Sequence, residues 1–529
     1  MTRITSGRYA VLALLLHFAS AGCGASSPPP SPNTIPPPGP SRAQSLPRSQ
    51  IGMNLSGIAS YSTAFPFLDL FKSSTPWVSG HGDVWDDKRR IDVDEHGWVK
   101  SLAPGQIVYT SFIDSGVRAP AGQYIVEYEG EGEIVYQEGA RLIEHGPGSD
   151  VIEVDPMQGN CLLAIVSVNP RNSLRNIRIR LPVRVPMSQT FNPVFLDRIK
   201  KFKTLRFMCS MLGDNPKQIG QRKWSERPRL SDARWGDKGM PIEVMVELSN
   251  RIGADPWFSI PHEAEDDYIR QFAAYVRDNL DSNLKACVEH SNEVWNNMFS
   301  VHAYATRRGL ELGLSTDPWE ARLRYHARRS REIFDIFEEI MGRERIVRVL
   351  AAQEDGPAEA EALLAYEDTA RHVDVLAIGS YFGFELGLPE NQARVSRMTV
   401  DELFRELETV SLPSTMGYVR ENAAIAARYG IPLVAYEGGQ HLSAVMFGVD
   451  DPAIDDLFDR ANRDPRMGRL YTKLFEEWSA ASRGGLFLHL NECNPLGPYG
   501  RWGLLEYIDQ PREEAPKYDA VMKWMEAGQ

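Results

Sequence analysis

From about Phe191 onward, short runs rich in apolar and β-branched residues alternate with stretches whose apolar positions recur every three or four residues. The first kind predicts buried strands and the second amphipathic helices. The predicted strands are Thr204 to Met208, Asp255 to Ile260, Leu284 to Glu289, Arg345 to Ala351, Val373 to Gly379, Ile431 to Tyr436 and Gly485 to Leu490. Helices are predicted over Pro241 to Ile252, Glu265 to Leu280, Trp295 to about Gly342, Pro357 to Arg371, Thr399 to Tyr429 with a break near Pro413, Asp455 to Ser482, and Lys517 to Ala527. Strand and helix in alternation imply a parallel sheet covered by helical crossovers.

Those seven strands are one short of a closed barrel, and the β-prone run Ile51 to Leu55 supplies the eighth. The predicted fold class is therefore α/β, a (β/α)8 TIM barrel built from residues 51–83 and 186–529. Residues 84–185 read differently. Gly122 to Gly130, Gly132 to Tyr136, Cys161 to Val168 and Ile177 to Leu181 mix apolar and polar residues in a strand-like pattern, with glycine-containing turns between several of them. This predicts an inserted or accessory β-sandwich. Such a module could bind carbohydrate or simply wall the cleft, because a fold alone assigns no function.

The N-terminus stands apart from both. Arg3 and Arg8 precede the apolar run Val11 to Phe18, and small residues lead to Cys23. This predicts a secretory signal over residues 1–23, too short to span a membrane. Ser20-Ala21-Gly22-Cys23 is similar to a lipoprotein cleavage box, which would make Cys23 a lipidation site; the other reading is an ordinary signal peptidase site nearby. Residues 24–50 hold two Pro-Pro-Pro runs among Ser, Asn and Arg, which suits an extended tether. The expectation is an exported protein, at the cell surface or outer membrane if lipidated, otherwise secreted or periplasmic.

The formal net charge of −13 over 529 residues argues against nucleic acid or anionic lipid as a partner. Contact with a membrane is then expected only through the N-terminal anchor. The five cysteines form no Cys-x-x-Cys pair, which argues against a cysteine zinc site; a disulfide among Cys161, Cys209, Cys287 and Cys493 stays open. There is no phosphate loop, dinucleotide fingerprint or Gly-x-Ser-x-Gly elbow, so no cofactor is expected.

Two segments carry candidate chemistry. Val288-Glu289-His290-Ser291-Asn292-Glu293 follows predicted strand four, and Val434-Ala435-Tyr436-Glu437-Gly438-Gly439 closes predicted strand seven. A strand that ends on a glutamate puts a carboxylate at the rim of the barrel, where sites on this fold are built. Two such carboxylates are what glycoside hydrolysis requires. Asn292-Glu293 on strand four with Glu437 on strand seven resembles the clan A glycoside hydrolases, although Val294 stands where those relatives usually carry proline.

The resemblance implies a retaining O-glycosidase acting on an oligo- or polysaccharide, with Glu293 as acid/base and Glu437 as nucleophile. It further implies that Asn292 contacts the substrate 2-hydroxyl, Arg206 orients the nucleophile, and Tyr381 touches it. His262 and Asn491 are candidate sugar contacts, and Trp502 is the candidate for the tryptophan that relatives carry at the end of strand eight. Trp224, Trp235 and Trp295 are further stacking candidates, or core tryptophans. Asn292-Glu293 could equally cap a helix starting near Val294.

Two other classes stay open. His262, His290, Glu293 and His441 lie near predicted strand ends and could serve a metal-dependent hydrolase, although no His-Glu-x-x-His spacing exists. A non-catalytic glycan-binding protein could use the same cleft.

Overall fold

The computed structural model describes residues 48–528, apart from 83, 121, 184, 185, 187, 188 and 213–220. The predicted signal, the tether up to residue 47, and Cys23 lie outside the described residues.

Eight parallel strands close into a barrel in chain order. They are β1 (Ile51–Asn54), β2 (Thr204–Arg206), β3 (Asp255–Ile260), β4 (Ala286–His290), β5 (Ile346–Ala351), β6 (Val375–Phe382), β7 (Leu433–Gln440) and β8 (Phe487–Leu490). β1 pairs with β8, setting Asn54 opposite Leu490, and with β2, setting Asn54 opposite Arg206. The run Ile51–Asn54 is therefore the strand that closes the barrel.

Side chains alternate along each strand. In β4, Ala286 and Val288 join the large cluster packed under the helices. Cys287 instead joins Trp257, Val349, Ala351, Ala377, Val434, Tyr436 and Leu488 in the barrel interior. Cys161, Cys209, Cys287 and Cys493 are all buried and free, so no disulfide forms among them.

Several boundaries differ from the prediction for local reasons. β2 stops at Arg206 because Met208–Leu212 turns into a helix. The predicted helix from Trp295 is two helices, Ser300–Glu311 and Pro318–Met341, the second started by Pro318 and capped by Asp317. The expected break near Pro413 is a single π-helical turn over Leu407–Ser411, after which the helix resumes.

β7 runs on to Gln440, through Gly438 and Gly439. Close packing requires both, and Gly439 also has a φ of +136°, which side chains rarely adopt. A Cβ on Gly438 would sit 2.6 Å from the Phe487 ring and from the Ser380 carbonyl oxygen, and one on Gly439 2.7 Å from the Tyr471 hydroxyl. Glu437 therefore lies within β7 rather than at its end.

Among the described residues, the segment between β1 and β2 forms a two-stranded pairing of Asp92–Val93 with Val99–Ser101 and two larger antiparallel sheets. One orders Arg175–Arg180, Gln123–Glu129, Ser149–Val154 and Ala140–Gly146. The other orders Val84–Trp85, Val78–His81, Gln106–Ile113, Cys161–Val168 and Gly132–Glu138. Since Val78–His81 pairs into this second sheet, the sheet region begins before residue 84.

Candidate active site

Glu293 and Glu437 meet at the C-terminal end of the barrel, both buried to within 2% of full exclusion from solvent. Glu293 lies three residues beyond β4, in a tight loop where Ser291 and Glu293 both have positive φ, 59° and 43°. Non-glycine residues rarely adopt that conformation, and it persists where the surroundings hold it. Here Asn296 donates to Glu293 Oε2 at 2.9 Å and the Tyr436 hydroxyl to Oε1 at 3.1 Å. The next helix starts only at Ser300, so Asn292-Glu293 is not a helix cap.

A bulge in β7 aims Glu437 inward. Ile378 pairs with Ala435 but Gly379 pairs with Glu437, leaving Tyr436 unopposed. In an unbroken strand the neighbours Tyr436 and Glu437 would point to opposite faces. The extra residue lets both reach the interior.

Arg206 ties the site together from β2. It is fully buried. Its Nη1 donates to Glu437 Oε2 at 3.1 Å and its Nη2 to Asn292 Oδ1 at 3.0 Å. Nε and Nη2 also grip both oxygens of Glu289, at 3.0 and 3.1 Å. Asn54 adds a 3.0 Å donation to Glu437 Oε2. Glu289 further accepts from the Trp257 indole at 2.8 Å and from Ser259 at 3.2 Å. With Oδ1 of Asn292 engaged by Arg206, its amide N–H is the group left to meet a ligand.

The electrostatics separate the two carboxyls. Burial, then the charge of Glu437, push Glu293 up to about 8. Glu437 is also raised by burial, but the Arg206 guanidinium beside it opposes the shift more strongly than at Glu293. Burial disfavours the charge on Arg206 itself, and Glu289 and Glu437 outweigh that, so it stays a cation. One proton shared by the pair therefore resides on Glu293, and Glu437 is the anion.

Tyr381 lies inside β6, its hydroxyl beside Glu437 and without a partner at hydrogen-bond geometry. Asn491 and Trp502 line a second cleft at the β8 end of the site, with Asn491 Oδ1 and the Trp502 indole N–H buried and unpartnered. The Trp502 ring lies 5.5 Å from His441, which lies 5.5 Å from Tyr381. The four residues Asn292, Arg206, Tyr381 and Glu437 are thus brought to one place, with Asn491 and Trp502 at its edge.

His262 is set apart. It is buried edge-on against Tyr304, and neither of the two clefts at this end includes it. His290 points out of the barrel, its Nδ1 3.0 Å from Nδ1 of His326. Trp224 and Trp235 pack in the body of the protein, against Tyr268 and Phe67, whereas Trp295 lines the cleft.

Glu289, Asn54 and Tyr436 complete the site and were not singled out from sequence. The period-two pattern contained a signal for Glu289: it shares a face with Cys287, so a charged residue inside β4 had to find a buried partner.

No family model and no curated protein sequence matches the chain. Solved structures similar to it include the GH51 arabinofuranosidase from Xanthomonas axonopodis pv. citri, with 12% identity over 60% of this chain and 63% of that one and a TM-score of 0.39. A family 51 α-L-arabinofuranosidase from Bifidobacterium longum aligns with 11% identity over 64% and 68%, at a TM-score of 0.41. Fungal β-1,4-galactanase aligns with 12% identity over 63% and 91%, at 0.37. The chain spans less than two thirds of the length of the Xanthomonas enzyme.

Proposed function

We propose that the chain is an exported, retaining glycoside hydrolase acting on a carbohydrate polymer or oligomer. The observation that carries this reading is the buried pair itself: one carboxyl made the better acid, the other held as an anion by a buried arginine. Glu437 attacks the anomeric carbon as Glu293 passes its proton to the departing oxygen, and the carbon–oxygen bond to the leaving group breaks. Water then gives a proton to the Glu293 carboxylate and attacks the same carbon, which frees Glu437. The Asn292 amide meets the sugar 2-hydroxyl, a contact that strengthens as positive charge develops on the ring. Asn296 and Tyr436 fix the direction in which Glu293 delivers its proton. The leader and Pro-rich tether support export, with Cys23 as the proposed anchor point.

The test is the configuration of the first-formed product. NMR of the reaction on an activated aryl glycoside should show retention, and a 2-fluoro glycoside should label Glu437 covalently. Inversion, or labelling elsewhere, overturns the proposal.

The pH profile follows from the same pair. Glu293 must carry its proton and Glu437 must have lost it. kcat/KM should therefore fall as pH rises through about 8, the value to which Glu293 is pushed. It should also fall on the acid side above the ordinary glutamate range, because burial raises Glu437. The two limbs belong to the coupled pair. An alkaline limb near the ordinary glutamate value would remove Glu293 from the acid role.

A further inference from the structure

The cleft on the Glu293 side holds more carboxyl groups than the reaction uses. Its rim comes from the segments after β4, β5 and β6, which contribute Glu293 and Trp295, Glu354 and Asp355, and Glu385. Among the described residues no lysine or arginine lines it, and its one histidine, His441, is kept neutral by burial. Arg394, whose charge reaches Glu385, is already bonded to Glu406. The second cleft, by the Asn491 and Trp502 side chains, has no charged residue among the described residues of its lining.

Polar atoms facing the acidic cleft lack partners. They include Glu354 Oε1, Asp355 Oδ1, the Tyr381 hydroxyl and the Trp295 indole N–H. Tyr381 is only 8% exposed, and its hydroxyl, beside Glu437, has no partner at hydrogen-bond geometry. The other oxygen of Glu354 accepts from the Tyr381 backbone N–H at 3.1 Å, which fixes the carboxyl in place. Buried polar groups left unpaired inside a protein are costly, so a set of them converging on one cleft marks where a ligand supplies the missing bonds.

We propose that this cleft is the leaving-group subsite and that it takes a sugar residue bearing a free, positively charged amine. The side assignment rests on the function proposed above, since the acid must stand beside the oxygen it protonates. The charge assignment rests on the lining. Glu354 Oε1 and Asp355 Oδ1 need hydrogen-bond donors, and an ammonium supplies donors together with the missing positive charge. The Trp295 and Tyr381 donors suit the hydroxyl and ring oxygens of the same residue. Burial raises Glu354, to about 8, and Asp355, so without a cation beside them these carboxyls favour their protonated form; an ammonium in the cleft offsets that burial and favours their charged form, which a neutral sugar cannot do. The chain's net charge of −13 also favours the approach of a cation.

The test is direct binding to the wild-type chain by calorimetry, at about pH 6 where such amines are charged. The probes are glucosamine and galactosamine, each beside its N-acetyl form and its parent hexose. At least one amine should bind about tenfold or more tightly than both neutral counterparts. Glu354→Gln and Asp355→Asn, which keep the shape, should each remove most of that preference. Equal binding of amine and neutral sugars overturns the proposal, as does a preference that survives in the double variant. Binding is read without turnover, so a failed amine preference leaves the two-glutamate chemistry standing. An inactive protein that still prefers the amine leaves the subsite standing.

Discussion

Glu437→Ala should abolish hydrolysis of every glycoside, by on the order of 10⁵-fold in kcat, because no covalent intermediate can form without the nucleophile. Glu293→Ala should behave differently. Its work is proton delivery, so a dinitrophenyl glycoside, whose leaving group departs without help, should keep far more of its rate of bond cleavage than an alkyl glycoside. The intermediate should then accumulate, since Glu293 also activates water in the second step. A burst of phenol release followed by slow turnover would display this. Azide offers a further separation. Added to Glu293→Ala it should rescue turnover and give a glycosyl azide of retained configuration. Added to Glu437→Ala it should give the inverted azide, having attacked from the side the carboxylate left. Equal losses on good and poor leaving groups for both variants would argue against these roles.

The barrel was legible because its strands are short, apolar and separated by strongly periodic helices. Even the closing strand could be inferred, from a count that came up one short. The two catalytic candidates were legible because each adjoins such a strand. What stayed hidden was set by tertiary contact. Tyr436 reads as an ordinary strand aromatic, and only the bulge opposite Gly379 turns it and Glu437 to the same side. Nothing local shows that the Phe487 ring requires Gly438, or that the Tyr471 hydroxyl and a positive φ require Gly439. In the accessory sheets, Gln106–Ile113 escaped notice because it is buried at seven of its eight positions, leaving no polar alternation to read. Ala140–Gly146 escaped for the opposite reason, being exposed over most of its length. Glu354 and Asp355 follow β5 in a loop, and nothing local reveals that both border a cleft whose described lining holds no lysine or arginine.

Arg206 offers the second large effect, and it separates a positioning role from a merely structural one. Arg206→Met should destabilise the fold by about 3–5 kcal/mol, because the Glu289 and Glu437 carboxylates both lose their buried counter-charge. A lower denaturation midpoint with an unchanged slope would report it. Arg206→Lys keeps a charge but cannot reach Glu289, Asn292 and Glu437 at once, since an ammonium lacks the planar fork of a guanidinium. It should fold better than the methionine variant and still act poorly. The decisive readout is the acid limb of kcat/KM. With the guanidinium gone, the charged form of Glu437 loses its nearest stabilising cation, so its pKa rises. Activity should then be lost at a higher pH than in the wild type. Glu289→Gln is the control, as it loosens the grip on Arg206 while leaving that cation facing Glu437. It should cost stability and move the acid limb the other way, because one negative neighbour that raises Glu437 has been removed. If both variants lose stability and neither moves the limb, Arg206 holds the barrel together without tuning the nucleophile.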